Sequence, residues 1–304
     1  MPQTPTTIRF AGGAQGFNWL PVFVAEEQGL FADNGLSIDY QRLGSVDKAT
    51  TAVREGTADL AITPPEGAVA DYLTGGALRI VGSNSERLPM SMVARPGIPD
   101  LAGLRGKRIG TSSLTEGTAL YSRPLLGTVG LHYPGDYEFV LAGVHTARWA
   151  ALERDEIDAA PQPAPWNFLA EREGYGLVGE IPDVIPEIIF AAVIGNQQWL
   201  DENRDAVSRL IAALSEAHAI VNDAANDTVT RRVYQGLTTP DDPELAARGL
   251  AYTRDLGMWP DGLRVSPTAL ATTIDVMIQA GLVEENDRER ATGVFDPSFT
   301  THAA

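Results

Sequence analysis

Before Asn196, short apolar runs alternate with helix-length amphipathic stretches, and the turns between them are brief. No other feature constrains the fold as tightly. Strands separated by helices do not form hairpins, so they call for a mainly parallel sheet with helices on its faces. Thr7 to Ala11 (TIRFA), SIDYQRL, DLAIT and LRIVGSN read as four strands. Between them lie a helix in WLPVFVAEEQGLFADNGL, ended near Gly29 with a capping turn at Asn34-Gly35, and a helix opened by Gly44-Ser45-Val46-Asp47. A third runs from about Gly67 to Leu73. A second series starts after MSMVARPGIPD. It offers a strand at Arg108 to Thr111, a partly helical TEGTALYSRPLLGTVGL that Pro124 can bend, the strand YEFVLAG and the helix HTARWAALERDEI. YGLVGEI and EIIFAAVIG are further strands. From Asn196 onward the apolar spacing is about 3.6 residues and strands are hard to find. The tail from Glu284 reads as polar with a loose end.

One placement recurs. TADLAITPPEGAVADYL delivers a strand to Pro64-Pro65-Glu66-Gly67 and then a helix, and DAAPQPAPWNFLAEREG does the same. A helix N-terminus beyond a strand end is where α/β proteins hold small molecules. The bulk properties leave that possibility open and close others. A chain of 304 residues has room for one or two domains with their own cores. Lys and Arg total 23 against 40 Asp and Glu, a formal charge of −17, which argues against nucleic acid or an anionic membrane as partner. No apolar run approaches the roughly 18–20 residues of a membrane helix, so no membrane insertion is expected. The absence of cysteine removes disulfides, thiolate nucleophiles and cysteine metal sites. MPQTPTTIRF lacks the charged start and apolar core of a secretory leader. The expectation is a cytoplasmic location as the sequence stands, and a periplasmic or cell-surface one if a leader has been removed.

The ordered segments GFNWLPVFVAEEQGLFADNGLSIDY, AVREGTADLAITPPEGAVADYLTGGALRIVG, MSMVARPGIPDLAGLRGKRIGTS and ALERDEIDAAPQPAPWNFLAEREG resemble the nitrate/sulfonate/taurine-type solute-binding proteins and their thiamine-pyrimidine-synthase-like relatives. The resemblance spans about Thr7 to Trp199. It implies a type II periplasmic-binding-protein fold: two hinged α/β lobes joined by two crossovers, a ligand cleft between them, and C-terminal helices that brace the hinge. Lobe one would be residues 1–93 plus 193–304, and lobe two residues 94–192. The crossovers would fall near Val93-Ala94-Arg95 and Ile189 to Val193. Some relatives are enzymes. The desulfinase branch relies on a cysteine, and the pyrimidine-synthase branch carries a cysteine-rich motif; this chain has neither.

Candidate ligand residues follow from the turns beyond the strands. In the first turn Gln15 and Asn18 can bond polar atoms, and Phe17 or Trp19 can stack on a ring or belong to the core. Ser45 stands at a helix start that suits an anion, and it serves equally as a plain N-cap. Thr63 heads the turn stiffened by Pro64 and Pro65, where Glu66 either caps the helix or faces the cleft. Ser112, Ser113 and Thr118 can form an oxyanion-binding rim that matches no Walker loop. Arg87 follows a strand and is a candidate partner for an anion or an exposed bystander. His145 follows YEFVLAG and can bond ligand or act as a base. Gln162 and Trp166 occupy the second proline turn. His132, His218 and His302 have no partners at metal spacing, and neither a metal site nor a cofactor is expected.

The leading expectation is binding of a small organic solute, of sulfonate, aromatic carboxylate or pyrimidine class, with an ABC permease as partner in a transport role. The alternative is a cytoplasmic lyase or decarboxylase-like enzyme acting on an aromatic acid, with His145 as its catalytic group beside Glu66 and Arg87. A ligand-sensing regulatory module ranks last, since no DNA-binding segment is present.

Overall fold

The strands form where the alternation places them, but the chain divides them between two sheets. The computed structural model describes residues 4–300. The first series builds β1 (Thr6–Gly12), α1 (Leu20–Glu27), α2 (Leu30–Asp33), β2 (Leu36–Arg42), α3 (Val46–Arg54), β3 (Leu60–Thr63), α4 (Glu66–Leu73) and β4 (Leu78–Ser85). The second builds β5 (Met90–Ala94), β6 (Arg108–Thr111), α5 (Thr118–Gly127), β7 (Glu138–Leu141), α6 (His145–Glu153), β8 (Ala159–Pro163), α7 (Trp166–Arg172) and β9 (Gly176–Glu180). The chain then returns through β10 (Ala191–Asn196) and ends in α8 (Gln197–Glu202), α9 (Arg204–Asn222), α10 (Asp227–Leu237), α11 (Pro243–Asp255), α12 (Pro267–Gln279) and α13 (Arg288–Thr292).

Each sheet has five strands, in the orders β2-β1-β3-β10-β4 and β7-β6-β8-β5-β9. Within each, the first three strands are parallel and one strand inserted from the other half of the chain runs antiparallel: β10 between β3 and β4, β5 between β8 and β9. The strand exchange fixes the crossovers. Because Met90–Ala94 pairs wholly within the second sheet, the chain changes sheets at residues 86–89, ahead of the Val93 to Arg95 position expected from sequence. The return lies between Glu180 and Ala191. The two crossover segments run side by side, with Phe190 N–H on the Ser85 carbonyl at 2.8 Å and Ile188 N–H on that of Glu86 at 3.2 Å.

The same clamp holds β1 to β3 in the first sheet and β6 to β8 in the second. In the first sheet Asp59 accepts from the Arg9 amide (2.8 Å) and its guanidinium. In the second, Asp158 accepts from the Arg108 amide (2.9 Å) and guanidinium.

Behind the first sheet, α1 and α9 bury Trp19, Val22, Leu210 and Leu214 against β1 and β3. A larger core runs without a break from Leu20 and Leu78 on one side, through Phe17, Phe190 and Tyr121, to Leu104 and Ile109 on the other. The C-terminal helices touch both halves. Tyr234 on α10 donates to the Ala164 carbonyl (3.1 Å), and Arg123 on α5 donates to the Ala280 carbonyl beyond α12 (3.0 Å). The tail corrects the expectation of a loose end: Phe295 bridges to Ile80 on β4, Asp296 N–H donates to the Ile80 carbonyl at 2.9 Å, and Phe299 is buried. The terminal residues 1–3 and 301–304, with His302 and the start of MPQTPTTIRF, lie outside the described residues. Among the described residues no helix is long and apolar enough to cross a membrane.

Candidate functional site

The carboxyl ends of the parallel strands of both sheets point into one gap. Gly13 and Ala14 follow β1, Ile62 to Pro64 end β3, Ser112 follows β6, and Val144 and His145 follow β7; all line a cavity of about 70 Å³. The first residues of three helices of eight or more residues reach the cavity: Val46 of α3, Gly117 and Thr118 at the head of α5, Val144 and His145 at the head of α6. Helix N-termini carry amides without intrahelical partners and a partial positive charge.

Aromatic rings close one side. Phe17 stacks on Phe190 with centroids 5.9 Å apart and meets His145 edge-on at 5.7 Å. Trp166 lies behind His145 at 4.2 Å. The approach of His145 explains Gly16, since a Cβ there would stand 3.0 Å from the imidazole Cε1. Asn84, at the end of β4, pins the facing loop by donating to the Asn18 carbonyl at 2.7 Å.

The charged group of the lining is Arg148, one turn into α6 and 3% exposed. Its Nε donates to the Pro161 carbonyl (3.1 Å) and one terminal nitrogen to that of Gly143 (2.9 Å). Among the described residues no carboxylate forms an ion pair with it. Burial alone lowers its pKa to about 9. Such a cation lacks a counter-charge, and its burial is costly until an anion arrives. His145 is 6% exposed; burial, with Arg148 and Arg42 nearby, pushes its pKa down to about 3, so the ring is neutral.

Of the residues singled out in the sequence, Phe17, Asn18, Trp19, Thr63, Ser112, Thr118 and His145 meet at the cavity. The others stand elsewhere. Gln15 turns back toward the Phe10 carbonyl (3.5 Å), and Ser45 is the N-cap of α3 without a side-chain cap bond. Glu66 is buried at the head of α4, facing Gly117 and Tyr121 across the gap. Arg87 lies on the first crossover and pairs with Glu187 at 3.4 Å. Ser113 bonds Asp47 of the opposite lobe at 2.8 Å. Gln162 is fully buried and braces α6, its amide reaching the His145 carbonyl (3.3 Å) and the Trp149 N–H (3.0 Å). Trp166 forms a second layer behind His145. Arg148 was missed, although helical spacing carries a signal for it: residues three apart share a face, and His145 was already assigned to the cleft.

Two α/β lobes that exchange antiparallel strands and close on a shared cavity define the periplasmic-binding-protein fold. The chain belongs to the family described as NMT1/THI5 like, whose model matches residues 16–224. A Brucella abortus (strain 2308) protein, provisionally named a binding protein, is 29% identical over 197 residues, 64% of this chain and 60% of that protein. The chain thus spans about 60% of the length of the curated relatives it matches. Among solved structures, the ligand-binding component of an ABC-type import system from Staphylococcus aureus aligns at a TM-score of 0.80 and 15% identity, over 99% of each chain. The alkanesulfonate-binding protein SsuA from Xanthomonas axonopodis pv. citri, bound to MOPS, aligns at 0.77 and 15% identity, over 98% of this chain and 99% of that one.

Proposed function

We propose that the protein binds a small organic anion, a sulfonate or an aromatic carboxylate, between its two lobes and delivers it to an ABC permease. The lobes follow the sheets: the first sheet with the C-terminal helices forms one, and the second sheet with α5 to α7 forms the other. Arg148 carries this reading. A buried guanidinium with two carbonyl partners and no acid is suited to a ligand's oxyanion, which also gains from the helix N-termini. Phe17, Trp19, His145 and Phe190 suit a flat or aliphatic body, while Ser112 and Thr118 add hydroxyls. The import role draws on the structural neighbours, one of them a sulfonate-binding protein and another an importer component. In that role the protein works on the outer side of the membrane spanned by its permease.

A lyase on this scaffold would use His145 as its acid–base group. An imidazole whose pKa lies at about 3 is a weak base near neutral pH, which speaks against that use.

The test is calorimetry against alkanesulfonates, arylsulfonates, aromatic carboxylates and neutral pyrimidines. Anionic members should bind and neutral ones should not. Arg148→Met should weaken the anion by about 100-fold or more, as expected for removing one side of a buried charge pair. Equal affinity in that variant, or preference for a neutral pyrimidine, would reject the assignment.

A further inference from the structure

A second cluster joins the lobes beside the cavity and takes no part in lining it. Glu66, the first residue of α4, is 1% exposed, and Glu116, just before α5 in the opposite lobe, is 6% exposed. Glu116 reaches across the gap: its Oε2 accepts from Thr50 Oγ1 at 3.1 Å, and its Oε1 lies over the first turn of α4. That approach accounts for Gly67, where a Cβ would meet Glu116 Oε1 at 2.5 Å. Neither oxygen of Glu66 closes a well-formed hydrogen bond, although the Tyr121 hydroxyl and the Gly117 amide face it. Two carboxyls from opposite lobes are thus buried together.

We propose that lobe closure takes up protons: Glu66 and Glu116 meet as a carboxylic acid pair, and ionising the pair drives the lobes apart.

The surrounding charges favour the neutral pair. Helix α3 contributes Asp47, which opposes ionisation of Glu116, and Arg54, which favours it; Arg54 is held by Asp71 at 2.7 Å and is largely in solvent. Lobe two contributes Tyr121, whose own ionisation burial suppresses. The helices packed on α4 bring no cation to its head: Asp275 of α12 pairs with Arg288, and Arg290 of α13 bonds the Leu73 carbonyl at the far end. Burial pushes Glu66 up to about 7. Burial, with Glu66 and Asp47 nearby, pushes Glu116 up to about 8. In parted lobes both would return toward the ordinary value of 4.5. Closure is therefore favoured at low pH, weakens as pH rises from that value, and levels off once both carboxyls are ionised in the closed form as well. The limiting loss is about tenfold per pH unit for each proton taken up.

The inference rests on the two-lobe closing scheme above, but its test needs no ligand, so it can fail separately. Small-angle scattering of the ligand-free protein should show the smallest radius of gyration near about pH 5 and an increase levelling off above about pH 8. The Glu66→Gln/Glu116→Gln double variant, isosteric with the protonated pair, should remain compact throughout. Infrared difference spectra provide a readout independent of that variant's folding: the wild type should show a protonated buried carboxyl band at about pH 6.5. An unchanging wild-type radius, the same pH response in the double variant, or absence of the band would overturn the proposal.

Discussion

Arg148 and His145 show how one helix turn sets the chemistry of the cavity. They lie three residues apart at the start of α6 and both line the gap. One keeps its charge without an acid beside it, and the other loses its charge to burial, with the first adding to the effect. The coupling has a direct consequence. Nuclear magnetic resonance should find the His145 ring neutral across about pH 5 to 8, and Arg148→Met should raise its pKa by removing a like charge. A His145 ring that titrates near its ordinary value of 6.5 would contradict the burial that produces the shift. His145 was legible in the sequence because it follows a strand directly. Arg148 was passed over although it stands three residues from His145, because an arginine on a helix is usually solvated, as Arg154 is at the other end of α6, where it pairs with Glu156. Arg87 was singled out for following a strand, as a partner for an anion or equally as an exposed bystander. It lies past the end of β4 on the first crossover, where its side chain pairs with Glu187. Burial is a property of packing, and only the approach of α6 to β8 makes it.

At the scale of elements, the parallel strands were readable because each is a short apolar run bounded by turn residues. Of the two inserted strands, β10 was read within EIIFAAVIG, and β5 was not. MSMVA is buried along its whole length and shows no alternation, so it read as a lead-in to the second series. Its sheet partners come from residues far away in the sequence, and no local pattern announces them. The tail failed for a related reason. Val294 and Phe295 are adjacent, Phe299 follows after Asp296, Pro297 and Ser298, and the three match neither helical nor strand spacing, yet Val294 and Phe299 are buried and the Val294 carbonyl accepts from Ile80 N–H at 2.9 Å. Fully burying one such side chain contributes about 1.5–3 kcal/mol. A chain ended at Val283 should therefore melt at least about 5 °C lower by circular dichroism, with β4 losing its hydrogen-bonded neighbour. An unchanged midpoint would restore the expectation of a loose end.

Across the whole molecule, buried groups of opposite habit shape the response to pH. Glu66 and Glu116 are raised to about 7 and about 8, so the stability they contribute is full below 4.5 and is lost as pH rises through those values. Glu86 and Glu180 are raised by burial in the same direction. His145 and His218 are lowered by burial, to about 3 and about 4, so their contribution is full above 6.5 and is lost as pH falls through those values. His218 is fully buried on α9 with Nδ1 at 2.8 Å from the Pro260 carbonyl, far from the cavity. Between about pH 8 and 6.5 only the carboxyls act, and stability should rise as pH falls. From 6.5 to 4.5 the two sets oppose each other and the profile should flatten. Below 4.5 the histidines still lose, and Asp158, lowered by its Arg108 bonds, joins them, so stability should drop. Urea midpoints measured at intervals across this range would trace a plateau with two flanks. In the Glu66→Gln/Glu116→Gln variant the neutral-to-alkaline flank should shrink and the plateau should tilt into a decline beginning near 6.5, because only Glu86 and Glu180 would still oppose the histidines. A wild-type profile that declines steadily from neutral pH, with no plateau, would mean that the interlobe carboxyls are ionised in the folded protein.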